Sequence, residues 1–347
     1  MKIVLQELYS QKVMGDEIIK IGVVGAGHLG KMHIKNLKNL PEVDFVGFYD
    51  SDKKRSKEIS KELNTLSFNS LNTLLEQCDG VSIVVPTVAH YDVALSAIKK
   101  KVHIFCEKPF MQTIEEANEV IKLARDNNIV LQIGHIERFN PALTSLKKFK
   151  INPLFIESHR ISQFNPRGTD VAVILDLMIH DIDIILSLVN SPIIRIDAAG
   201  APILTDNIDI ANARIKFENG CVANITASRV SNKSMRKIRI FQRNSYISID
   251  FLKNLTEVFS LSNEDEITNK NAIPITELKT KNNKKRKIFY EQLQTSKSNA
   301  MLEELRAFAN SIKNGTLPLV TGEDGKKALE VAIQIEKQIS SNLKTLV

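Results

Sequence analysis

No run of about 18 consecutive apolar residues occurs in this sequence, which excludes a membrane-spanning helix. The opening MKIVLQELYSQKVMGDEIIK lacks the apolar core and small-residue end of a secretory signal. Residues 1–17, with a second methionine at Met14, read as an N-terminal extension or a start placed too early. Cysteine is scarce. Cys78, Cys106 and Cys221 are odd in number and widely spaced, which excludes a disulfide framework and a zinc motif and fits a reducing cytoplasm. His33, His103 and His159 are dispersed, so no metal is expected. Tryptophan is absent, and that absence excludes nothing. The formal charge of +7 is concentrated in KTKNNKKRK, Lys279 to Lys287. No aromatic residue interleaves it, so a nucleic-acid partner is not expected. The run reads as a solvated loop or hairpin, or else as an attractor for an anionic substrate.

What is present is a 347-residue chain, 43% hydrophobic and 25% charged, a length and balance that suit two domains. In the first half, apolar runs alternate with helical patterns. IIKIGVVGAG, VDFVGFYD, GVSIVVP, VHIFCEKP and IVLQIGH read as five buried strands. Helical stretches follow the first four, and the last of these opens on a capping box, Thr113 with Glu116. The alternation predicts an α/β Rossmann-type domain over 18–140, with a parallel doubly wound sheet.

The first turn is Gly25-Ala26-Gly27-His28-Leu29-Gly30. A lone G-x-G-x-x-G is a weak signal, but here it follows a strand and opens a helix. Glycines at that place allow a tight turn and close approach of a pyrophosphate to a helix N-terminus. The backbone of His28 matters there more than its ring. Asp50 lies at the end of the second strand, where a carboxylate takes the ribose hydroxyls of adenosine and repels a 2′-phosphate. NAD is therefore expected over NADP, although Lys53, Lys54 and Arg55 follow closely. Pro86, Thr87 and His90 fall at the end of the third strand, on the rim where such sheets bind ligands, with His90 equally readable as a helix-start residue. Glu107 and Lys108 end the fourth strand on the same rim, before a proline whose peptide bond has the option of cis. A lysine there can hydrogen-bond a sugar hydroxyl and stabilise developing negative charge; the plain alternative is a surface lysine in a turn.

Taken together, IGVVGAGHLGKMHIKNL, VVPTVAH, CEKPF, QIGHIERFNPA and ILDLMIHDIDII resemble the Gfo/Idh/MocA oxidoreductases over nearly the whole chain. The resemblance implies that 141–347 is an α+β domain with a large open, mostly antiparallel sheet. It also implies a C-terminal helix returning toward the Rossmann domain, and a homodimer or homotetramer formed through the sheet. It assigns catalysis to Lys108, Asp176 and His180. The usual R-R-F segment is Glu137-Arg138-Phe139 here, a departure that bears on substrate contacts. From the residues alone, Asp176 and His180 are four apart on an apolar helix and share a face, with Asp183 nearby. His180 is suited to act as a general base near neutrality, with Asp176 orienting it or the substrate. A core histidine satisfied by a carboxylate, or Lys108 as the base, are the alternatives.

After Leu154 the pattern changes to alternating half-buried strands, with ENG and RNS as hairpin turns. Residues 262–300 are polar and poorly patterned, and are expected to be the most flexible part. GHIERFNPA with DLMIHDIDI looks most like the members that oxidise C3 of UDP-N-acetylglucosamine, whose 3-keto product passes to an aminotransferase for lipid A-type diamino sugar synthesis. Arg138, Asn140, Asp183 and Arg229 are the substrate-side candidates. Arg138, Arg160, Arg167 and Arg229 are the guanidinium groups available for a diphosphate. The alternatives are a dehydrogenase of a free sugar, inositol or another nucleotide sugar, and a dinucleotide-binding transcriptional corepressor, which would have no need of a proton acceptor.

Overall fold

The computed structural model describes residues 18–165, 171–263, 272–279, 285–295 and 297–344. The chain divides into two compact units. One takes the chain up to Ile136 together with Ser298–Leu329, and the other takes Glu137–Lys297 and the residues from Glu330 onward. The break thus falls at Ile136, four residues before the expected boundary, and the segment after Ser298 rejoins the first unit.

The sheet of the first unit contains β1 (Ile19–Val24), β2 (Val43–Tyr49), β3 (Gly80–Ile83), β4 (His103–Glu107) and β5 (Leu131–Gly134), in the order β2-β1-β3-β4-β5. Every pairing is parallel. β3 and β5 are buried at every position, as expected of strands covered on both faces. The connecting helices are α1 (His28–Lys38), α2 (Lys53–Leu63), α3 (Leu71–Leu75), α4 (His90–Lys99) and α5 (Ile114–Asp126). The five-residue α3 has no counterpart in the sequence reading. The Thr113–Glu116 capping box is present at α5, and Asp52 caps α2 through the amides of Lys54 and Arg55. One core joins Ile21, Val23, Ile34, Leu37 and Phe105 to Leu305 and Phe308 of the helix Ala300–Asn314. Phe105 meets Phe308 edge-on at 5.9 Å. Truncating a buried phenylalanine of this kind to alanine costs about 3–5 kcal/mol, so the returning helix is part of this unit's stability. The strand order reverses direction at β1, which leaves a crevice beyond the carboxyl ends of β1 and β3.

The second unit holds β6 (Pro153–Ile161), β7 (Ile193–Ala201), β8 (Ile210–Phe217), β9 (Val222–Ser228), β10 (Met235–Gln242), β11 (Ser245–Asp250), β12 (Leu255–Asn263), β13 (Ile273–Lys279) and β14 (Lys285–Gln292). They form one sheet in the order β13-β14-β12-β11-β10-β6-β9-β8-β7. Only β6 and β9 pair in parallel among the described residues. β8 alternates exposed and buried along its whole length, turning Ala211, Ala213, Ile215 and Phe217 inward. The ENG and RNS turns are present, with Gly220 at φ +87° and Asn244 at φ +64°. The helix α6 (Ile179–Leu188) carries His180 of the D-x-x-x-H segment, and α7 (Ala300–Asn314) and α8 (Gly322–Lys344) close the chain. The expectation of a poorly patterned stretch over 262–300 is corrected where its residues are described. β13 and β14 pair there in antiparallel register from Ile273–Tyr290 to Lys279–Lys285. Of the basic run, 280–284 lies outside the described residues, while the strands on either side form the arms of a hairpin.

Candidate active site

A cleft of about 440 Å³ opens beyond the carboxyl ends of β1 to β4. Gly25, Gly27, His28, Leu29, Asp50, Pro86, Glu107 and Lys108 line it, all anticipated from sequence. Arg55, noted above as a basic neighbour of Asp50, lines it too, and Tyr49, Ser51, Val85 and Ala89 also line it and were not anticipated. The three glycines differ in what they do. Gly25 sits at φ +93°, and a Cβ there would lie 2.4 Å from the Val84 carbonyl oxygen. A Cβ on Gly30 would lie 2.0 Å from the Gly25 carbonyl oxygen, so Gly30 permits the turn to fold against α1. A Cβ on Gly27 would meet nothing within 4 Å, so no protein atom demands glycine at that position. The space beside Gly27 lies in the cleft. α1 begins there with no side-chain cap and no acid in its first turn. Amides at such an end suit an anion, so the arrangement fits a dinucleotide pyrophosphate.

Asp50 is 7% exposed and is held on both oxygens. Its Oδ2 accepts the Ala26 N–H at 2.8 Å, and its Oδ1 accepts the Asp52 N–H at 2.8 Å. Arg55 Nη1 lies 3.5 Å from Oδ2. Ala26, buried, thus bears on the site through Asp50. Thr87 is half-buried in the short turn Thr87–Ala89 and does not line the cleft. Of the two readings of His90, the helix-start residue is the one seen: it opens α4 and does not line the cleft. It is 1% exposed, and its ring nitrogens face backbone carbonyls: Nε2 faces Val85 at 3.0 Å, and Nδ1 faces Pro109 and Phe110 at 3.1 Å each. It fastens the end of β3 to the turn after β4. Burial lowers its pKa, against the raising effect of those carbonyls.

In that turn the Lys108–Pro109 peptide is cis, and Lys108 is half-buried on the cleft wall. Glu107 is 8% exposed. Its Oε1 lies 3.0 Å from His33 Nε2, and its Oε2 accepts the Lys108 N–H at 3.2 Å. A Cβ on Gly134 would lie 2.9 Å from the Glu107 carboxyl carbon, so glycine there makes room for the acid.

In the second unit, Asp176 and His180 are both half-buried. The expected single α-helix is corrected: Ile174–Met178 is a π-helical turn, and α6 begins at Ile179. A turn closed by i→i+5 bonds is wider than 3.6 residues, so over a stretch that is part π and part α, four residues make close to one full turn. Asp176 and His180 keep a common face by this route. The flanking acids are committed elsewhere. Asp181 accepts from Arg160 Nη2 at 2.7 Å and Nε at 3.1 Å, while Arg160 Nη1 donates to Glu137 at 2.8 Å. Arg160 is buried; its pKa is raised, because Asp181 and Glu137 outweigh the lowering effect of burial. Asp183 pairs with Arg138 at 3.1 Å. Asn140 is buried, caps the turn Pro141–Thr144 through the Ala142 N–H at 3.0 Å, and donates to Glu137 at 3.0 Å. Arg229 is 5% exposed, lies 3.5 Å from Asp209 and donates to the Val171 carbonyl. Asp209 is buried, which raises its pKa, yet the amides of Leu204, Ile203 and Thr205 bring it down to about 2. The guanidinium groups of Arg138, Arg160 and Arg229 are therefore each already engaged by a carboxylate of the same unit, and Arg167 lies outside the described residues. Lys108 belongs to the first unit, and Asp176 with His180 to the second.

Comparison with known proteins follows the same division. A family model described as "Oxidoreductase family, NAD-binding Rossmann fold" matches residues 19–135, and one described as "GFO/IDH/MocA C-terminal domain" matches residues 155–247. The chain is 33% identical to UDP-N-acetylglucosamine 3-dehydrogenase of Acidithiobacillus ferrooxidans, covering 94% of this chain and 98% of that one. A crystal structure of that enzyme superposes with a TM-score of 0.83 at 32% identity, covering 94% and 99% of the two chains. Myo-inositol 2-dehydrogenase of Thermotoga maritima is 25% identical over 92% of this chain and 96% of its own. Scyllo-inositol dehydrogenase from Lactobacillus casei with bound NAD(H) and scyllo-inositol shares the fold, with a TM-score of 0.72 at 22% identity over 94% and 98%.

Proposed function

This chain belongs to the Gfo/Idh/MocA oxidoreductases, and on that premise we propose that it oxidises C3 of UDP-N-acetylglucosamine with NAD. The observation that carries the reading is a conjunction. A glycine turn with open space at Gly27 and a lysine on the cleft wall occur in a chain that matches a UDP-N-acetylglucosamine 3-dehydrogenase along nearly its full length. Bound NAD supplies the hydride acceptor. The Gly27 turn and the start of α1 hold the pyrophosphate, and Asp50 accepts hydrogen bonds from the adenosine ribose, which favours NAD over NADP. Lys108 Nζ donates to the substrate oxygen and stabilises the negative charge that builds there. The His180 imidazole takes the hydroxyl proton as the carbon loses hydride, so that C–OH becomes C=O. Asp176 orients the imidazole or the sugar.

The product is a 3-keto nucleotide sugar, which suits consumption by an aminotransferase. Self-association is part of the same reading. Phe155, Phe241, Tyr246, Phe259 and Tyr290 form a cross-strand aromatic row with centroids 5.0 to 5.8 Å apart on a partly exposed sheet face. That row supports a homodimer or homotetramer through the sheet.

One observation favours a second reading, a dehydrogenase of a free sugar or polyol. The arginines that would clamp a diphosphate are already paired with carboxylates of the chain. Both readings are tested by incubating the enzyme with NAD, UDP-N-acetylglucosamine and a trapping aminotransferase. NADH formation with UDP-N-acetylglucosamine, inhibited by UDP, is the expected result. Turnover of free inositol or glucose without any turnover of the nucleotide sugar would overturn the choice of substrate.

A further inference from the structure

His33 has no place in the chemistry above, yet it is fully buried and joins three elements of the first unit. It sits on α1, the helix that the glycine turn opens. Its Nδ1 lies 2.9 Å from Ser82 Oγ on β3, and its Nε2 lies 3.0 Å from Glu107 Oε1 at the end of β4. The edge of Phe105 closes the ring's remaining side, with centroids 5.5 Å apart. The chemistry of the partners fixes the direction of these bonds. An ionised carboxylate only accepts, so Nε2 carries the proton and donates to Glu107. Nδ1 is then left to accept from the Ser82 hydroxyl. A neutral imidazole satisfies both bonds at once. The chain reads Ser82 to His33 to Glu107, and the second Glu107 oxygen is tied to the Lys108 amide.

We propose that His33 is a positioning residue that holds the Glu107 carboxylate oriented in the cleft, and thereby makes the site prefer the oxidised over the reduced dinucleotide. The inference rests on the dinucleotide-binding part of the reading above and not on the sugar. A carboxylate that is 8% exposed is costly to keep charged without hydrogen-bond donors, and His33 supplies one from below. Glu107 is itself one of the residues that line the cleft. A fixed negative charge there attracts the cationic oxidised nicotinamide more than the neutral reduced form. A histidine that merely filled space would have no influence on that preference.

The test is calorimetric titration of NAD and of NADH into the intact protein. Wild type is compared with His33→Leu, His33→Gln, Ser82→Ala and Glu107→Gln, and each variant is checked by thermal unfolding. His33→Leu should weaken NAD about tenfold, the factor set by one hydrogen bond to a charged group, while weakening NADH less. His33→Gln keeps a donor near the Nε2 position and should restore most of the preference. Ser82→Ala removes only a hydroxyl and should shift the ratio in the same direction, by roughly threefold as a fraction of that bond. In a Glu107→Gln background, His33→Leu should change nothing further. Wild-type NAD-to-NADH ratios in both Ser82→Ala and folded His33→Leu overturn the proposal, as does an undiminished His33 effect without the Glu107 charge. A wild-type protein that binds neither dinucleotide overturns the dehydrogenase reading instead.

Discussion

Gly27→Ala and Gly30→Ala differ by three positions in one turn and should fail in opposite ways. At Gly30 the new methyl would stand 2.0 Å from the Gly25 carbonyl oxygen, whereas ordinary contact begins at 3.4 Å. The turn must then move by more than 1 Å, and overpacking of this kind costs about 1–3 kcal/mol or more. At roughly 2–4 °C per kcal/mol for a unit of this size, the melting temperature should fall by several degrees. At Gly27 the methyl meets no protein atom within 4 Å, so stability should stay within about 0.5 kcal/mol of wild type. The methyl occupies the space assigned to the pyrophosphate and should disrupt at least one charge-assisted hydrogen bond worth about 1.5–3 kcal/mol. About 2 kcal/mol corresponds to roughly 30-fold in affinity. Calorimetry with NAD and thermal unfolding, run on both variants, read the two effects separately. A Gly27→Ala protein that binds NAD like wild type would refute the assignment of that space to the cofactor.

Lys108→Met and His180→Ala should each lower turnover about 100-fold or more while NAD still binds, measured by steady-state kinetics beside calorimetry; a variant that keeps wild-type kcat loses its assigned role. Asp50→Ala should weaken NAD and narrow the discrimination against NADP, since Arg55 then faces the 2′ position without its counter-charge; the ratio of kcat/KM values for the two cofactors is the check. The depressed Asp209 pKa makes stability pH-dependent. With about 2 in the folded state against an ordinary value of 3.8, its contribution is complete above about pH 4 and is lost as pH falls through about 2. Asp209→Asn should be less stable than wild type at neutral pH, with the difference shrinking across that window in denaturant titrations.

The first unit was legible because its strands are covered on both faces and so appear as unbroken apolar runs. The second unit was legible only where one face is buried. β8 shows strict alternation, but β7 buries only Ile196 and Ala198 of its nine residues, and its pattern fades. β14 has no fully buried position among its described residues, and its first three residues, Lys285 to Lys287, merge with the charge run before it. The site divides the same way. The glycine turn, Asp50 and Lys108 are local signals. The partners of Glu107, Arg160 and Arg229 are not, because His33 lies 74 residues from Glu107 and Glu137 lies 23 from Arg160. The π-helical turn at Ile174–Met178 leaves no mark on the apolar pattern at all.

Glu137 has a practical consequence for anyone recombining this chain with its relatives. It stands where the family usually places arginine, and in this protein it is a buried acid shared by Arg160 and Asn140. Restoring arginine there alone would crowd like charges and strand Arg160 with a single acid, and breaking a buried pair of this kind costs about 3–5 kcal/mol. A chimera that exchanges the Glu137-Arg138-Phe139 segment must carry positions 137, 160 and 181 together, as one transplantable cassette.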